Sequence, residues 1–254
     1  MAIQFMRAGQ QGYLFHDTLT GLKFGIDLFL SELPGRAVPN VLDIPDLADV
    51  SLLFGSHDHD DHIDRRMWTK AAKTHPHLKF VVSLYFKDTL PGELGIAPER
   101  FIFADEGHPA DFGGLHIEAI PAAHEFIDED ERGLHPYLVY ILTLDGVKIC
   151  HMGDTCVYEG MYGKLRAKGP FDLLLPPING RDAVRLASNC IGNMTFQEAA
   201  DLAGALKPGL AVPGHYDMFP HNSEDPQKFI DYVRVKYPEQ KVQLCPPGEW
   251  FVLK

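Results

Sequence analysis

Within six residues, His57-Asp58-His59-Asp60-Asp61-His62 sets three imidazoles and three carboxylates directly behind the apolar run Val50-Ser51-Leu52-Leu53-Phe54. Groups this polar cannot stay in a core without partners, so the fold must bring a buried strand to its end there and turn the chain toward something that needs donors. In an extended segment residues i and i+2 point the same way, so His57 and His59 can reach one metal ion. A turn into a following helix can aim Asp61 and His62 at a second. Imidazole and carboxylate without thiolate suit zinc, manganese or iron, and point toward a hydrolytic rather than a structural site. The competing description is a solvated acidic loop. Thirteen histidines in the chain raise the chance of a neighbouring pair, but not of an ordered four-ligand array ending a strand.

Short strand-like runs dominate the first half: Ile3 to Arg7, Tyr13 to His16, Leu22 to Asp27 and Val50 to Phe54, each bounded by Gly, Asp or Thr. Asp64 to Lys73 has helical composition, and Lys79 to Phe86, Phe101 to Phe103 and Leu115 to Pro121 return to a strand pattern. Tyr137 to Leu144 and Val147 to Met152 flank Asp145-Gly146, the dipeptide of a type I′ hairpin turn. Phe171 to Leu175 reads as a buried strand. Thr195 to Leu206 reads as a helix opened by a capping box of Thr195 and Glu198, and Asp225 to Tyr237 as another, with Pro226 at its first position and Pro238 just past its end. Two groups of strands, each followed by helices, predict an α/β fold: a four-layer αββα sandwich of two mixed sheets face to face with helices outside, forming one domain over residues 1–254. The charged stretch from His124 to His135 is expected to be a loop at the site rather than a boundary.

A chain of 254 residues buries roughly three quarters of its unfolded surface, so a metal is not needed merely to hold it folded. Its 35 acidic against 23 basic residues, with no basic stripe, disfavour nucleic acid as a partner. Cys150, Cys156, Cys190 and Cys245 lack metal or disulfide spacing and read as reduced, mostly buried thiols. Neither a signal-peptide core nor an apolar run of membrane-spanning length is present. A cytoplasmic location, no membrane partner, a small-molecule substrate and scope for a homo-oligomer are expected.

The motif Ser56-His57-Asp58-His59-Asp60-Asp61-His62 resembles that of the metallo-β-lactamase superfamily, and looks most similar to its ascorbate-6-phosphate lactonase-like branch. That resemblance implies the metallo-β-lactamase fold and three further ligands, each where a strand runs out. Ile120-Pro121-Ala122-Ala123-His124, Met152-Gly153-Asp154-Thr155 and Val212-Pro213-Gly214-His215 supply them. On this mapping His57, His59 and His124 hold one divalent ion, Asp61, His62 and His215 hold another, and Asp154 bridges them. Zinc is the expected metal and manganese the alternative. Asp27 matches an early-strand aspartate of the family that would hydrogen-bond a ligand histidine. His108, His116 and His151 are expected to be structural.

Two ions about 3.5–4 Å apart would lower the pKa of a shared water toward neutrality, so no serine or cysteine nucleophile is needed. Asp61 is the candidate to orient that water or carry its proton. Tyr216 is a candidate donor to the substrate oxygen, with a packed tyrosine as the competing description. The branch's phosphorylated sugar-lactone substrate would make Arg181, in the polar stretch with Arg185, Asn189 and Asn193, a phosphate clamp. Asn193 and His221 are further candidates to line the pocket, as is His135. Hydrolysis of a small lactone or ester, a phosphorylated sugar lactone among them, is the leading expectation. The alternatives are a phosphodiesterase on the same two-metal scaffold and a non-catalytic metal-binding or sensor protein. An iron-dependent redox enzyme is disfavoured because His59 stands where such proteins carry a carboxylate.

Overall fold

The computed structural model describes residues 3–253. The first sheet takes β1 (Ile3–Gly9), β2 (Gly12–Asp17), β3 (Lys23–Ile26), β4 (Leu52–Phe54), β5 (Lys79–Ser83) and β6 (Phe101–Ala104) in that order. The second takes β7 (Ala110–Phe112), β8 (Leu115–Pro121), β9 (Leu138–Leu144), β10 (Val147–His151), β11 (Leu173–Leu175) and β12 (Leu210–Ala211), again in order. A last strand, β13 (Trp250–Val252), returns to pair antiparallel with β1. Both sheets are mixed. β1 to β3 are antiparallel and β3 to β6 parallel, while β7 to β10 are antiparallel and β10 to β12 parallel.

Strand alternation sorts the apolar side chains into layers. Along β9, Leu138, Tyr140, Leu142 and Leu144 enter a core shared with Phe5, Phe15, Phe24 and Phe54 of the first sheet. Val139 and Ile141, between them, face the other way and pack with α3 (Met161–Lys168), α5 (Phe196–Leu206) and α6 (Pro226–Lys236) through Met161, Leu202 and Phe229. On the far side of the first sheet, Leu14, Phe80 and Val82 meet Met67, Trp68 and Ala71 of α1 (Arg65–Thr74) and Leu90 of α2 (Leu90–Leu94). The remaining helix, α4 (Ala183–Ala187), has no buried residue. Two sheets with helices on both outer faces are the expected four layers. Among the described residues no helix is long and apolar enough to cross a membrane.

Local signals act as expected at several ends. Asp145 and Gly146 both hold positive φ, 50° and 75°, as a type I′ turn requires, and register Val147 opposite Leu144. The Thr195–Glu198 capping box is formed at α5, and Asp64 caps α1 through the Met67 amide. The expected strand Lys79 to Phe86 is cut short. Ser83 Oγ binds Asp105 and the His135 carbonyl and accepts from the Tyr85 amide, which bends Leu84–Phe86 into a 3₁₀ turn. Cys150, Cys156 and Cys245 are buried free thiols, and Cys190 is partly exposed.

Candidate metal centre

Strand direction gathers the candidate ligands. β3, β4, β8, β10 and β12 all run out at one end of the sandwich, where Asp27, His57, His124, Asp154 and His215 follow them. Chain ends of parallel strands are where open sheets place ligands. Gly153 permits the corner before Asp154: its φ is 55°, and a Cβ there would lie 2.9 Å from both the Leu138 carbonyl and Ser56.

The donor atoms of His57, His59 and His124 all lie within 4.8 Å of one another, as do those of His57, His62 and Asp154, and those of Asp61, His62 and His215. The three groups overlap at His57 and His62, so the seven expected residues form one constellation. Asp154 lies between its halves, with Oδ1 3.3 Å from His62 Nε2 and Oδ2 3.1 Å from His215 Nε2. Asp61 Oδ2 is 3.6 Å from His215 Nε2 and 3.7 Å from His62 Nε2. The two other carboxylates of the run, Asp58 and Asp60, both pair with Arg65 instead of joining these groups.

Divalent cations fit this donor set. His62 Nε2, His124 Nδ1 and Asp154 Oδ1 are buried and have no hydrogen-bond partner, whereas buried polar atoms are ordinarily paired. Burial pushes His57 well below the usual imidazole range and His124 down to about 4, so both carry a free lone pair at neutral pH. His215 differs. Burial opposes its protonation, but the carboxylates of Asp154 and Asp61 outweigh it and raise the ring to about 9. Against the same opposition His62 is raised well above the usual range, and Asp61 and Asp154 are held below theirs by the facing rings.

Asp27 is fully buried, with Oδ2 2.7 Å from His62 Nδ1, and it also accepts from the Ser56 amide and hydroxyl. His151, also buried, bonds the Gln11 carbonyl, and His116 is a surface partner of Asp111. His135 is held by Asp105 and His221 is exposed beside Phe219.

Three expected substrate contacts are engaged elsewhere. Both terminal nitrogens of Arg181 bind Glu198, at 2.6 and 2.8 Å, because the capping-box carboxylate is itself within reach. Asn193 is buried, donating to Asn179 Oδ1. Tyr216, the expected donor, is a packed core tyrosine. His215 holds φ 54°, and the next ring lies under the Arg7 guanidinium, 4.6 Å from its centroid. Burial raises its hydroxyl to about 12.

Two residues that the motifs do not flag do reach the centre. The Tyr137 ring lies 5.3 Å from His57, 6.2 Å from His59 and 5.4 Å from His124, centroid to centroid. Gln10 Nε2 lies 3.1 Å from both Asp61 Oδ2 and His215 Nε2. The available signals were a tyrosine opening the strand run before the hairpin and a polar Gln pair between Gly9 and Gly12.

The family described as Beta-lactamase superfamily domain matches residues 17–216. The UPF0173 metal-dependent hydrolase of Thermococcus onnurineus is 30% identical over 225 residues, covering 88% of this chain and 89% of its own. That of Thermococcus kodakarensis is 31% identical over 233 residues, with 89% and 90% covered. Among solved structures, Igni18, a metallo hydrolase from Ignicoccus hospitalis, superposes with a TM-score of 0.74 at 23% identity, covering 100% of this chain and 99% of that one. With its fold, its overlapping His/Asp groups and these relatives in agreement, the chain belongs to the metallo-β-lactamase superfamily of metal-dependent hydrolases.

Proposed function

We propose that the protein holds two divalent ions, zinc or manganese, and hydrolyses a small lactone or ester at them. The observation carrying this reading is Asp154, whose two oxygens face different histidines at 3.3 and 3.1 Å and so can serve both halves of the centre. His57, His59 and His124 would hold one ion, and Asp61, His62 and His215 the other. Ions bound there would supply the acidity that makes a water nucleophilic near neutral pH and would polarise the substrate oxygen. The chain's own groups do the rest. Asp61 stays ionised between His62 and His215 and can orient the attacking water through Oδ1, since Oδ2 faces those rings and Gln10. Tyr137, whose ring lies among those of His57, His59 and His124, takes the donor role expected of Tyr216: burial, then Asp128 and Asp58, raise its hydroxyl, which keeps its proton at neutral pH. The pairing of Arg181 with Glu198 favours an uncharged substrate over a phosphorylated sugar lactone of the ascorbate-6-phosphate type.

The test is metal content of the purified protein by mass spectrometry, followed by assay of the loaded protein on lactones, carboxylic esters and bis-p-nitrophenyl phosphate. Two ions per chain with lactone or ester turnover is the expected result. Turnover of the phosphodiester alone would replace this reading with the phosphodiesterase one, and two bound ions without turnover on a broad panel would favour a sensor.

A further inference from the structure

We infer that Gln10 is a positioning residue that sets the ion affinity of the Asp61–His62–His215 half of the centre; the inference rests on the two-ion reading above.

Gln10 turns the β1–β2 hairpin with φ 50°, a left-handed conformation for which glycine is the unstrained choice. The glutamine there has its side chain wholly buried, so its amide must find its hydrogen-bond partners inside the protein. Its backbone N–H donates to Asp217 Oδ1 at 3.0 Å, and its carbonyl accepts from the His215 N–H at 2.9 Å. The buried Arg7 grips the other oxygen of Asp217 at 2.6 Å, so the turn is anchored to the segment carrying His215.

The side-chain amide then reaches into the centre. Its Oε1 faces the Met218 N–H at 3.4 Å, and its Nε2 donates to Asp61 Oδ2 at 3.1 Å. Reversing the amide would set N–H against N–H and oxygen against carboxylate, so the nitrogen belongs toward Asp61. One lone pair of Asp61 Oδ2 takes this hydrogen bond, and the other is free to face His62 and His215. One residue therefore touches two of three candidate ligands of one half: its backbone holds the His215 segment, and its amide nitrogen donates to Asp61 and lies 3.1 Å from His215 Nε2. No hydrogen bond joins Gln10 to His57, His59 or His124 among the described residues.

The experiment is zinc titration of the metal-stripped protein, as wild type, Gln10→Met and Gln10→Gly, with melting of each stripped form. Gln10→Met keeps the length without the amide. Gln10→Gly keeps both backbone bonds and relieves the left-handed φ, and the melt of its stripped form measures what the emptied side-chain volume costs. Wild type is expected to bind two ions. Both variants should bind one ion as wild type does and the other about 10–100-fold more weakly, the usual effect of removing a hydrogen bond to a ligand. Unchanged affinity for both ions in Gln10→Gly overturns the inference alone, and so does an equal loss at both ions, the signature of a merely structural turn. Fewer than two ions in wild type overturns the two-ion reading together with the inference.

Discussion

Asp27 Oδ2 lies 2.7 Å from His62 Nδ1, while the opposite nitrogen of that ring, Nε2, lies 3.3 Å from Asp154 Oδ1. A carboxylate at Nδ1 keeps a proton on that nitrogen and leaves the Nε2 lone pair for the centre. Asp27→Asn reverses this. Its amide oxygen can still accept from Ser56, but its NH₂ then faces Nδ1 and favours the tautomer with hydrogen on Nε2. The variant is expected to lose about 10–100-fold in metal affinity. Titration with zinc measures the loss, and histidine ¹⁵N shifts report the tautomer; wild-type affinity would contradict the assignment.

Asp154→Ala removes the one group that faces both halves. In the metal-stripped protein it also takes a buried carboxylate from between two rings, which costs about 3–5 kcal/mol. A domain in the middle of the ordinary range, about 10 kcal/mol, survives that loss. The variant should therefore remain folded by circular dichroism, bind at most one ion and have no hydrolytic activity. Turnover at the wild-type rate would contradict a bridging role.

What could be read from the sequence was what is local. The His57–His62 run, the Asp145-Gly146 turn and the Thr195–Glu198 box each lie within a few residues, and the strand alternation that fills the inter-sheet core is a pattern of period two. Elements with little apolar pattern escaped. In α3 only Met161 and Leu165 are buried, β12 has two residues, and β13 is half exposed. Site residues escaped for another reason. Gln10 meets Asp61 across 51 residues and His215 across 205, separations that only the packed sheets close. Arg181 illustrates the converse. Glu198 was legible as a capping residue, but nothing in the spacing shows that its two oxygens also take the guanidinium.

The histidine fields predict how the stripped protein responds to pH. His215, raised to about 9, and His62, raised against the opposition of burial well above the usual imidazole range by Asp154, Asp27 and Asp61, are protonated in the folded chain. Their contribution to stability is complete below the unfolded imidazole value near ~6.5 and is lost as pH rises through about 9. Asp61 and Asp154, held low, add stability above about pH 4 that is lost as pH falls further. His57 and His124, held neutral by burial, withdraw stability as pH falls below ~6.5, so the metal-stripped protein should melt highest near about pH 6.5 and lower toward both pH 4 and pH 9. Zinc binding near neutral pH must displace protons from His62 and His215 but none from His124, which lies at about 4. Calorimetry in buffers of differing ionisation enthalpy should show proton release on one of two binding events; no release on either would contradict the protonation pattern.

The last prediction separates two tyrosines. Tyr216 follows a candidate ligand directly, yet its ring is stacked under Arg7. Tyr137 is 13 residues past His124 in the chain and within 6.2 Å of three candidate ligand rings. A hydroxyl in the second position can give a proton to a leaving oxygen, and positioned proton transfer is worth about 10²–10⁴-fold. Tyr137→Phe is therefore expected to lower kcat by about 10²-fold or more with both ions retained. Tyr216→Phe should keep kcat, because the stacked ring remains. Steady-state kinetics on the best ester or lactone, with metal content measured for each variant, decides the matter. A large kcat loss in Tyr216→Phe with Tyr137→Phe unaffected would return the donor role to Tyr216.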